Sequence, residues 1–520
     1  MRKKQLIINL ISNSIAFGTS LLISFILTPY LISTIGKEGY SFYPLANNFV
    51  SYMTIITLAL NSMAARFITI EVVKKNITKA KTYYSSIFFA NAILVVVLFI
   101  PMVVIIAYLD SFLSMPSALI SEVKLLFILI FISMLISVIS SVFGVATFVE
   151  NRLDLRSGGE IFQGLLRLLL YIFLFSQFKP TIVFIGVVTL MLSVTNLVLQ
   201  VVFTKKLLPD FKISFQRFDI HAVKELLSSG IWNSINSAGS ILLLSTSLLL
   251  ANLFLGVSAA GKLSIVQILP QFISSIITML FAVFIPRITH VYAMGDNNAI
   301  VREITFSQKI IGLFSSTPII LIIVFGQQFF SLWVPTENAV DLQLLSLITI
   351  LPLTIHGNMW TVYGANVVLN KLRLPSLVLI GVGGVHIIVC FVLLKYIVVN
   401  IYVIPIVSAT LNISYYLLFI PMYAASQLKV SKLTFYPHLL KAIIFLLTYF
   451  LIGSIMMGYL TISRWWDLLL IGGVFGLIGI VVNSLFVLSK SDIKHIHAIL
   501  TSLRNRIRKN TVIMGEGNGQ

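Results

Sequence analysis

Long apolar segments are the feature that most limits the fold of this chain. They recur along nearly all of its 520 residues, and each is long enough to cross a hydrocarbon core of about 30 Å as a helix. Only 10% of the residues are charged, against about 25% in a soluble domain. The fold class expected is therefore an all-α polytopic membrane protein. A membrane β-barrel would instead show segments of about ten alternating residues.

Fourteen transmembrane helices are predicted from these segments. They lie at 6–34, 41–69, 83–109, 121–149, 158–177, 181–203, 226–255, 263–286, 304–332, 342–369, 375–398, 402–424, 438–461 and 467–488. The first segment is too long for a signal peptide and lacks a small-residue cleavage site, so we expect a retained helix. The single cysteine, Cys390, excludes an intramolecular disulfide and a cysteine-built metal site. The histidines do not group with acids, and we expect no metal and no cofactor.

Basic residues are divided unequally between the two predicted faces of the membrane. One face carries only six, which are Lys37, Lys124, Lys179, Lys262, Lys395 and Arg464. The other face carries all the rest except Arg167, out of 36 in total. Because cytoplasmic connections are enriched in lysine and arginine, both termini are predicted to be cytoplasmic. The net charge of +19 then reflects topology, and we expect no nucleic-acid partner.

The two halves of the chain resemble each other. SVFGVATFVENRLDL at 141–155 resembles TVYGANVVLNKLRL at 361–374, which aligns Gly144 with Gly364 and Asn151 with Asn370. We therefore predict two six-helix lobes in the same orientation, followed by an extra helix pair. The predicted divisions are an N-terminal lobe at 1–203, a cytoplasmic linker at 204–225, a second lobe at 226–424, the helix pair at 425–488 and a basic tail at 489–520.

One arginine lies deep inside a predicted span. Arg167 is nine residues beyond Gly158, about 13 Å along a helix and near the midplane of a bilayer. It shares a polar stripe with Glu160, Gln163 and Tyr171 at helical spacing. A charge at this depth is energetically costly, and two explanations are that the side chain snorkels to the membrane surface or that it pairs with a structural partner. The third, which we favour, is that Arg167 and Gln163 face a water-filled cavity and bind an anionic substrate.

Other substrate-binding candidates come from the repeat and from the amide groups. The repeat aligns Arg167 with His386, which could equally be an ordinary interior histidine. Arg66 and Arg287 lie at the inner ends of two equivalent spans, either as topology anchors or as an anion-binding pair. Asn13 and Asn236 are also equivalent, and such amides either hold helices together or bind hydroxyl groups of a ligand.

Enzyme motifs are weak or missing. GVSAAGKL at 256–263 matches seven positions of a phosphate-binding loop, but it has Leu263 where a serine or threonine must contact magnesium. No strand is predicted before it, so a tight turn between spans explains it better. Paired mid-membrane carboxylates for glycosyl chemistry are absent. Bond-changing catalysis is therefore not expected.

The N-terminal segment resembles a known family. Asn13, Gly18, Pro29, IGKEGYSFYPL at 35–45 and AARFI at 64–68 look like the polysaccharide-transporter branch of the multidrug/oligosaccharidyl-lipid/polysaccharide exporter superfamily. The resemblance implies two lobes around a cationic cavity. It also implies a flippase that carries an undecaprenyl-pyrophosphate-linked oligosaccharide across the cytoplasmic membrane by alternating access. The implied partners are the lipid-linked glycan, membrane lipids and other polysaccharide-assembly proteins.

Two other functions are less compatible with the sequence than a flippase. A drug/cation antiporter of the same fold often needs an acidic residue in the first span, and 6–34 contains none. A membrane-embedded polymerase or glycosyltransferase usually needs large outer loops or catalytic carboxylates, which this sequence lacks. The identity of the glycan, the coupling ion and the oligomeric state stay open.

Overall fold

A computed structural model describes residues 3–490 except 295 and 370, together with 492 and 493. Across these residues the chain forms helices and no strand, which confirms the all-α class. Thirteen helical segments in this part are long and apolar enough to cross a membrane. The first helix has 71 residues, about 107 Å at 1.5 Å per residue, which is far longer than one crossing needs. It contains two predicted spans, so about fourteen crossings result.

The helices follow one another with short connections. Their bounds are α1 Lys3–Val73, α2 Ile77–Ala107, α3 Leu109–Phe112, α4 Ile120–Val149, α5 Leu153–Gln177, α6 Val183–Leu207, α7 Ile220–Leu244, α8 Thr246–Leu255, α9 Val257–Val266, α10 Ile268–Ala293, α11 Asn297–Trp333, α12 Ala339–Ile350, α13 Pro352–Val368, α14 Arg373–Tyr396, α15 Val403–Ser414, α16 Ile420–Leu428, α17 Tyr436–Met457 and α18 Trp465–Val487. A π-helical turn, Tyr415–Phe419, joins α15 to α16.

Two glycines bend the chain at equivalent places. Gly36 interrupts α1 with φ 78° and ψ 156°, and Gly256 separates α8 from α9 with φ 86° and ψ −179°. Both conformations are essentially restricted to glycine, because a Cβ atom would clash there. The two glycines are as far apart in the sequence as Gly144 and Gly364, so they follow the register of the predicted repeat. Asn370 lies outside the described residues, so its alignment with Asn151 is untested.

The contacts divide the chain into two compact units. Unit 1 contains residues 1–268, 333–338 and 372–411, and unit 2 contains 269–332, 339–371 and 412–520. This division does not coincide with the predicted lobes. The reason lies within unit 1, where α7 packs along α1 and α14 packs along α7. The assignment of the lobes at 1–203 and 226–424 therefore stays a prediction.

The predicted linker at 204–225 is packed against unit 1. Phe211 and Phe218 contact the buried core that includes Tyr84 of α2. The backbone N–H of Asp219 donates to the Ser86 hydroxyl of α2 at 2.9 Å. Because α7 begins directly afterwards at Ile220, six residues before the predicted start of the span, these contacts set where α7 enters the unit.

Candidate functional site

The start of α5 is held against the start of α1 by a polar network. Asn151 adopts a left-handed conformation (φ 53°), and the Asn9 amide donates to its carbonyl oxygen at 3.0 Å. Gln5 donates to the Asp154 carboxylate at 2.7 Å, and Arg152 pairs with the same carboxylate at 2.9 Å. These polar contacts give α5 a defined position before it enters the apolar region.

Close packing then continues along α1. The Ser157 hydroxyl donates to Oδ1 of Asn13 at 2.8 Å. About two turns further on, a Cβ atom at Gly164 would lie 2.8 Å from Cδ1 of Ile23, so the glycine permits the close approach of the two helices. Asn13 is exposed despite this bond. The amide of Asn13 thus joins two helices while part of its surface stays accessible.

A second side of α5 faces α6. The Gln163 amide donates to Oδ1 of Asn196 at 3.2 Å. Gly159 lies beside Leu199, and the rings of Phe175 and Phe184 are 5.8 Å apart. Gln163 therefore has a helix-joining contact, which is one of the two roles considered for such amides. Asn196 was not among the predicted site residues, because a single asparagine in an apolar span does not show by itself which helix it contacts.

Exposed apolar side chains cover another side of α5. Phe162, Leu165, Leu169 and Ile172 are each about half exposed. At about 100° per residue, Arg167 points roughly 140–160° away from each of these residues. The guanidinium is thus directed away from the apolar side, which is the side expected to meet lipid.

Arg167 itself is half-buried and has no ion pair or hydrogen bond to any residue that the structure describes. The nearest acid on its helix, Glu160, accepts a bond from Arg156 at 3.0 Å. Its described electrostatic neighbour is the hydroxyl of Tyr171, one turn further along, which also lies close to Tyr40 and Tyr43 of α1. A positive charge beside a phenol group, without a described counter-ion, can accept an anion.

The contacts of α14 with α7 repeat those of α5 with α1. The Ser376 hydroxyl donates to the Trp232 carbonyl oxygen at 3.3 Å. The register that aligns Arg167 with His386 also aligns Ser157 with Ser376. In this contact the position equivalent to Asn13 is Trp232 and not Asn236, the counterpart that the sequence predicted. One helical contact therefore recurs with both partners in the same register.

A close glycine contact recurs in the same register. A Cβ atom at Gly383 would lie 2.6 Å from Cβ of Leu242, as Gly164 approaches Ile23 in the first repeat. Gly164 and Gly383, and likewise Ile23 and Leu242, are separated by the same number of residues as Ser157 and Ser376. These two recurrences support the register that aligns Arg167 with His386.

His386 is placed differently from Arg167. It is fully buried between α14 and α7, where Nδ1 lies 3.1 Å from the Leu242 carbonyl oxygen and 3.4 Å from the Thr246 hydroxyl. Its Nε2 atom is buried and has no hydrogen bond of standard geometry among the described residues, although the ring also interacts with the backbone of Ile404. A glycan has no access to an enclosed ring in this arrangement, so the predicted role of His386 as a substrate ligand stays a prediction.

The remaining candidates also differ from one another. Arg66 is exposed near the end of α1, and the described residues offer it no ion pair. Arg287 donates to Glu303 of α11 at 2.8 Å, in unit 2. Asn236 of α7 is half-buried, and its Oδ1 atom has no hydrogen-bond partner in the described part of the chain. The structure thus gives Arg66 and Arg287 different surroundings, although the sequence aligned them.

A further polar network lies between α1, α2 and α4. Asn61 and Asn91 exchange amide hydrogen bonds of 3.0 and 3.1 Å, and Ser141 donates to Asn61 at 3.2 Å. Asn91 is fully buried. These three residues satisfy one another, which makes them a packing element of unit 1 and not a free binding surface.

Comparisons with known proteins agree with this architecture. Residues 6–292 match the family model described as "Polysaccharide biosynthesis protein". A relative in Bacillus subtilis (strain 168), "Uncharacterized membrane protein EpsK", is 28% identical over 434 residues, which cover 82% of this chain and 84% of that protein.

Solved structures of transporters share the fold. An inward-facing multidrug resistance MATE transporter of the MOP superfamily matches with a TM-score of 0.65 and 15% identity, over 80% of this chain and 94% of that one. Lipid II flippase MurJ in an inward closed conformation matches with a TM-score of 0.64 and 12% identity, over 92% and 98%. Because the family model covers more than half of the sequence, this multi-pass membrane protein belongs to the polysaccharide biosynthesis protein family.

Proposed function

We propose that the protein is a flippase for a lipid-linked oligosaccharide. It moves a glycan carried on undecaprenyl pyrophosphate from the inner to the outer leaflet of the cytoplasmic membrane by alternating access, with both termini in the cytoplasm. Family membership supports a role in polysaccharide assembly, and the shared fold supports a transporter. The observation that carries the proposal is Arg167, a deep cation on the non-lipid side of α5 without a described counter-ion.

The chemistry of the guanidinium suits the pyrophosphate. Its planar donors match phosphate oxygens in a bidentate manner, and charge-assisted bonds of this kind are stronger where water is scarce. The bound anion would neutralise the charge that is otherwise expensive near the membrane midplane. Arg66, at the inner end of its helix, would attract the same anion electrostatically before it enters, whereas the charge of Arg287 is already paired with Glu303.

Neutral amides would complete the site. Asn13, Gln163 and Asn236 lie in unit 1 together with Arg167. Asn13 and Gln163 already join helices, so a sugar hydroxyl would use their remaining donors and acceptors. Such neutral hydrogen bonds contribute only about 0.5–1.5 kcal/mol each, which allows release on the other side. His386 is the repeat counterpart of Arg167, and its buried Nε2 atom would have to become accessible in another conformation.

A drug/cation antiporter is the less favoured alternative. It would need a buried acid able to exchange a cation, and the first predicted span, 6–34, has none. The buried acid near the other end of α1, Glu71, lies within 4 Å of Lys74 and Lys79. That carboxylate already has cationic neighbours, so no observation favours the antiporter.

The decisive experiment replaces Arg167 in a strain that lacks the native protein. Arg167→Ala is expected to abolish glycan export at a normal protein level, and Arg167→Lys should retain part of it because the charge remains without the planar donors. Lys179→Ala is the matched control, since it removes an exposed cation two residues beyond the end of α5. Normal glycan export by Arg167→Ala would show that the arginine is structural or idle.

A further inference from the structure

Six residues pack with one unit while the chain on both sides of them belongs to the other. Trp333–Asn338, here called the strap, is assigned to unit 1, whereas residues 269–332 and 339–371 are assigned to unit 2. Trp333 is the last residue of α11, and α12 begins at Ala339 directly after the strap. The strap, which connects α11 to α12, is thus itself part of unit 1.

The first anchor of the strap is Trp333. Its indole Nε1 donates to the carbonyl oxygen of Phe25 at 3.0 Å, and the two rings are stacked with centroids 5.6 Å apart. Four residues after Phe25, Pro29 has no N–H and cannot make the helical bond to that carbonyl. The buried indole, only 2% exposed, supplies the donor that the proline removed.

The second anchor is an ion pair beside the glycine that interrupts the same helix. Nζ of Lys37 lies 3.0 and 3.1 Å from the two carboxylate oxygens of Glu337. Lys37 follows Gly36, the glycine at which α1 is interrupted. Between the two anchors, Val334 is 2% exposed and accepts a bond from the Glu337 N–H. The strap thus contacts α1 at the carbonyl that Pro29 leaves without a helical donor and beside Gly36, where the helix is interrupted.

Both anchors have a strength suited to reversible contact. A neutral hydrogen bond contributes about 1 kcal/mol net, and an ion pair with a part-exposed lysine contributes a similar amount. Such contacts hold one arrangement and still permit another within a transport cycle. Release would leave the Phe25 carbonyl without the indole donor and would allow α1 to change its shape at Pro29.

We propose that the strap binds α1 reversibly. It is docked on α1 in the state seen here and released from α1 in the other state of the transport cycle. This inference rests on the proposed function, because it needs a protein that alternates between two conformations. Docking of the strap would affect transport because α1 packs against α5. Asn13 of α1 accepts a hydrogen bond from Ser157 of α5, the helix that contains Arg167. A change in α1 would therefore alter the substrate site directly.

A single-cysteine reporter can measure docking of the strap. The reporter is Val334→Cys in a Cys390→Ala background, purified in detergent and labelled with a maleimide, with no substrate present. Trp333→Phe keeps the ring and loses the N–H, and Glu337→Gln loses the charge. Each change is expected to raise the labelling rate about fivefold, as loss of one ordinary hydrogen bond allows. Equal labelling in all variants would overturn the proposal.

Two double variants provide matched controls. The first exchanges the two charges, Lys37→Glu with Glu337→Lys, and should return the labelling rate towards the parental value. If this double variant is labelled as fast as the Lys37→Glu or Glu337→Lys single variant, the ion pair does not anchor the strap. Pro29→Ala restores an N–H four residues after Phe25, so Trp333→Phe should have little further effect in that background. An equal effect with and without Pro29 contradicts the role given to the carbonyl.

A transport assay distinguishes a strap that must dock and release during the cycle from one that has only a structural role. Trp333→Phe should reduce glycan export at a normal protein level, and unchanged export despite faster labelling would overturn the proposal. If Val334→Cys does not fold, hydrogen exchange of the peptide spanning 333–338 replaces the labelling. Failure of the proposed function itself would be recognised by a different result, namely that the unmodified protein exports no glycan in the deletion strain.

Discussion

Arg167→Ala and Arg287→Ala together test whether Arg167 is a substrate-binding charge, as proposed, or a structural one like Arg287. Arg167 has no described ion pair, whereas Arg287 donates to Glu303 at 2.8 Å. An arginine at a helix centre costs about 2.5–3.5 kcal/mol on insertion scales, so Arg167→Ala should not lower stability. Arg287→Ala leaves a carboxylate that is only 14% exposed, and we expect a loss of about 1–3 kcal/mol. This is less than for a fully buried pair, because Arg287 is 35% exposed.

Thermal unfolding in detergent, followed by tryptophan fluorescence, measures the two stabilities, and surface glycan measures function in the same variants. The expected pattern is a near-parental melting temperature without export for Arg167→Ala, and a lowered melting temperature for Arg287→Ala. Glu303→Gln combined with Arg287→Ala should recover part of the stability, since no charge is left behind. If Arg167→Ala lowers the melting temperature as much as Arg287→Ala, the arginine has a structural partner and the reasoning is refuted.

Three further predictions test packing, pH response and topology. Gly230→Ala should destabilise the protein by at least about 1–3 kcal/mol, because its Cβ atom would lie 1.9 Å from the Ala59 carbonyl oxygen of α1. Gly158→Ala, with open space around the new methyl group, is the control, and equal melting temperatures for both variants contradict the close approach of α7 to α1. Burial raises the pKa of Asp492, but bonds from Lys309 and Ser489 outweigh it and hold the pKa below its usual value. Because that pKa is depressed, the carboxylate stabilises the fold above about pH 4 and the contribution is lost as pH falls further, so Asp492→Asn should lower the melting temperature at pH 7 and progressively less in acid. If Asp492→Asn lowers the melting temperature equally at pH 7 and in acid, ionisation of Asp492 does not contribute to stability. Reporter fusions after residue 115 should lie outside and fusions after 215 inside, and the reverse result at 215 would exclude the fourteen-span topology.

Crossing segments and their order could be predicted from the sequence alone. A run of apolar residues long enough for the membrane specifies a helix locally, whatever its neighbours are. The repeat register is also local information, and the contacts of Ser157 and Ser376 at one offset agree with it. Even the direction of Arg167 followed from the 3.6-residue period, which put it on the polar stripe away from the exposed leucines.

The partners of these side chains depended on the tertiary structure. Periodicity shows which side of a helix is polar, but not which helix lies against that side or at what height. Only packing decided that Gln163 contacts Asn196, that Arg287 is paired while Arg66 has no described ion pair, and that the His386 ring is enclosed. The strap is the clearest case, because Trp333 and Phe25 are 308 residues apart and the carbonyl that joins them belongs to the backbone, where no side-chain pattern records it.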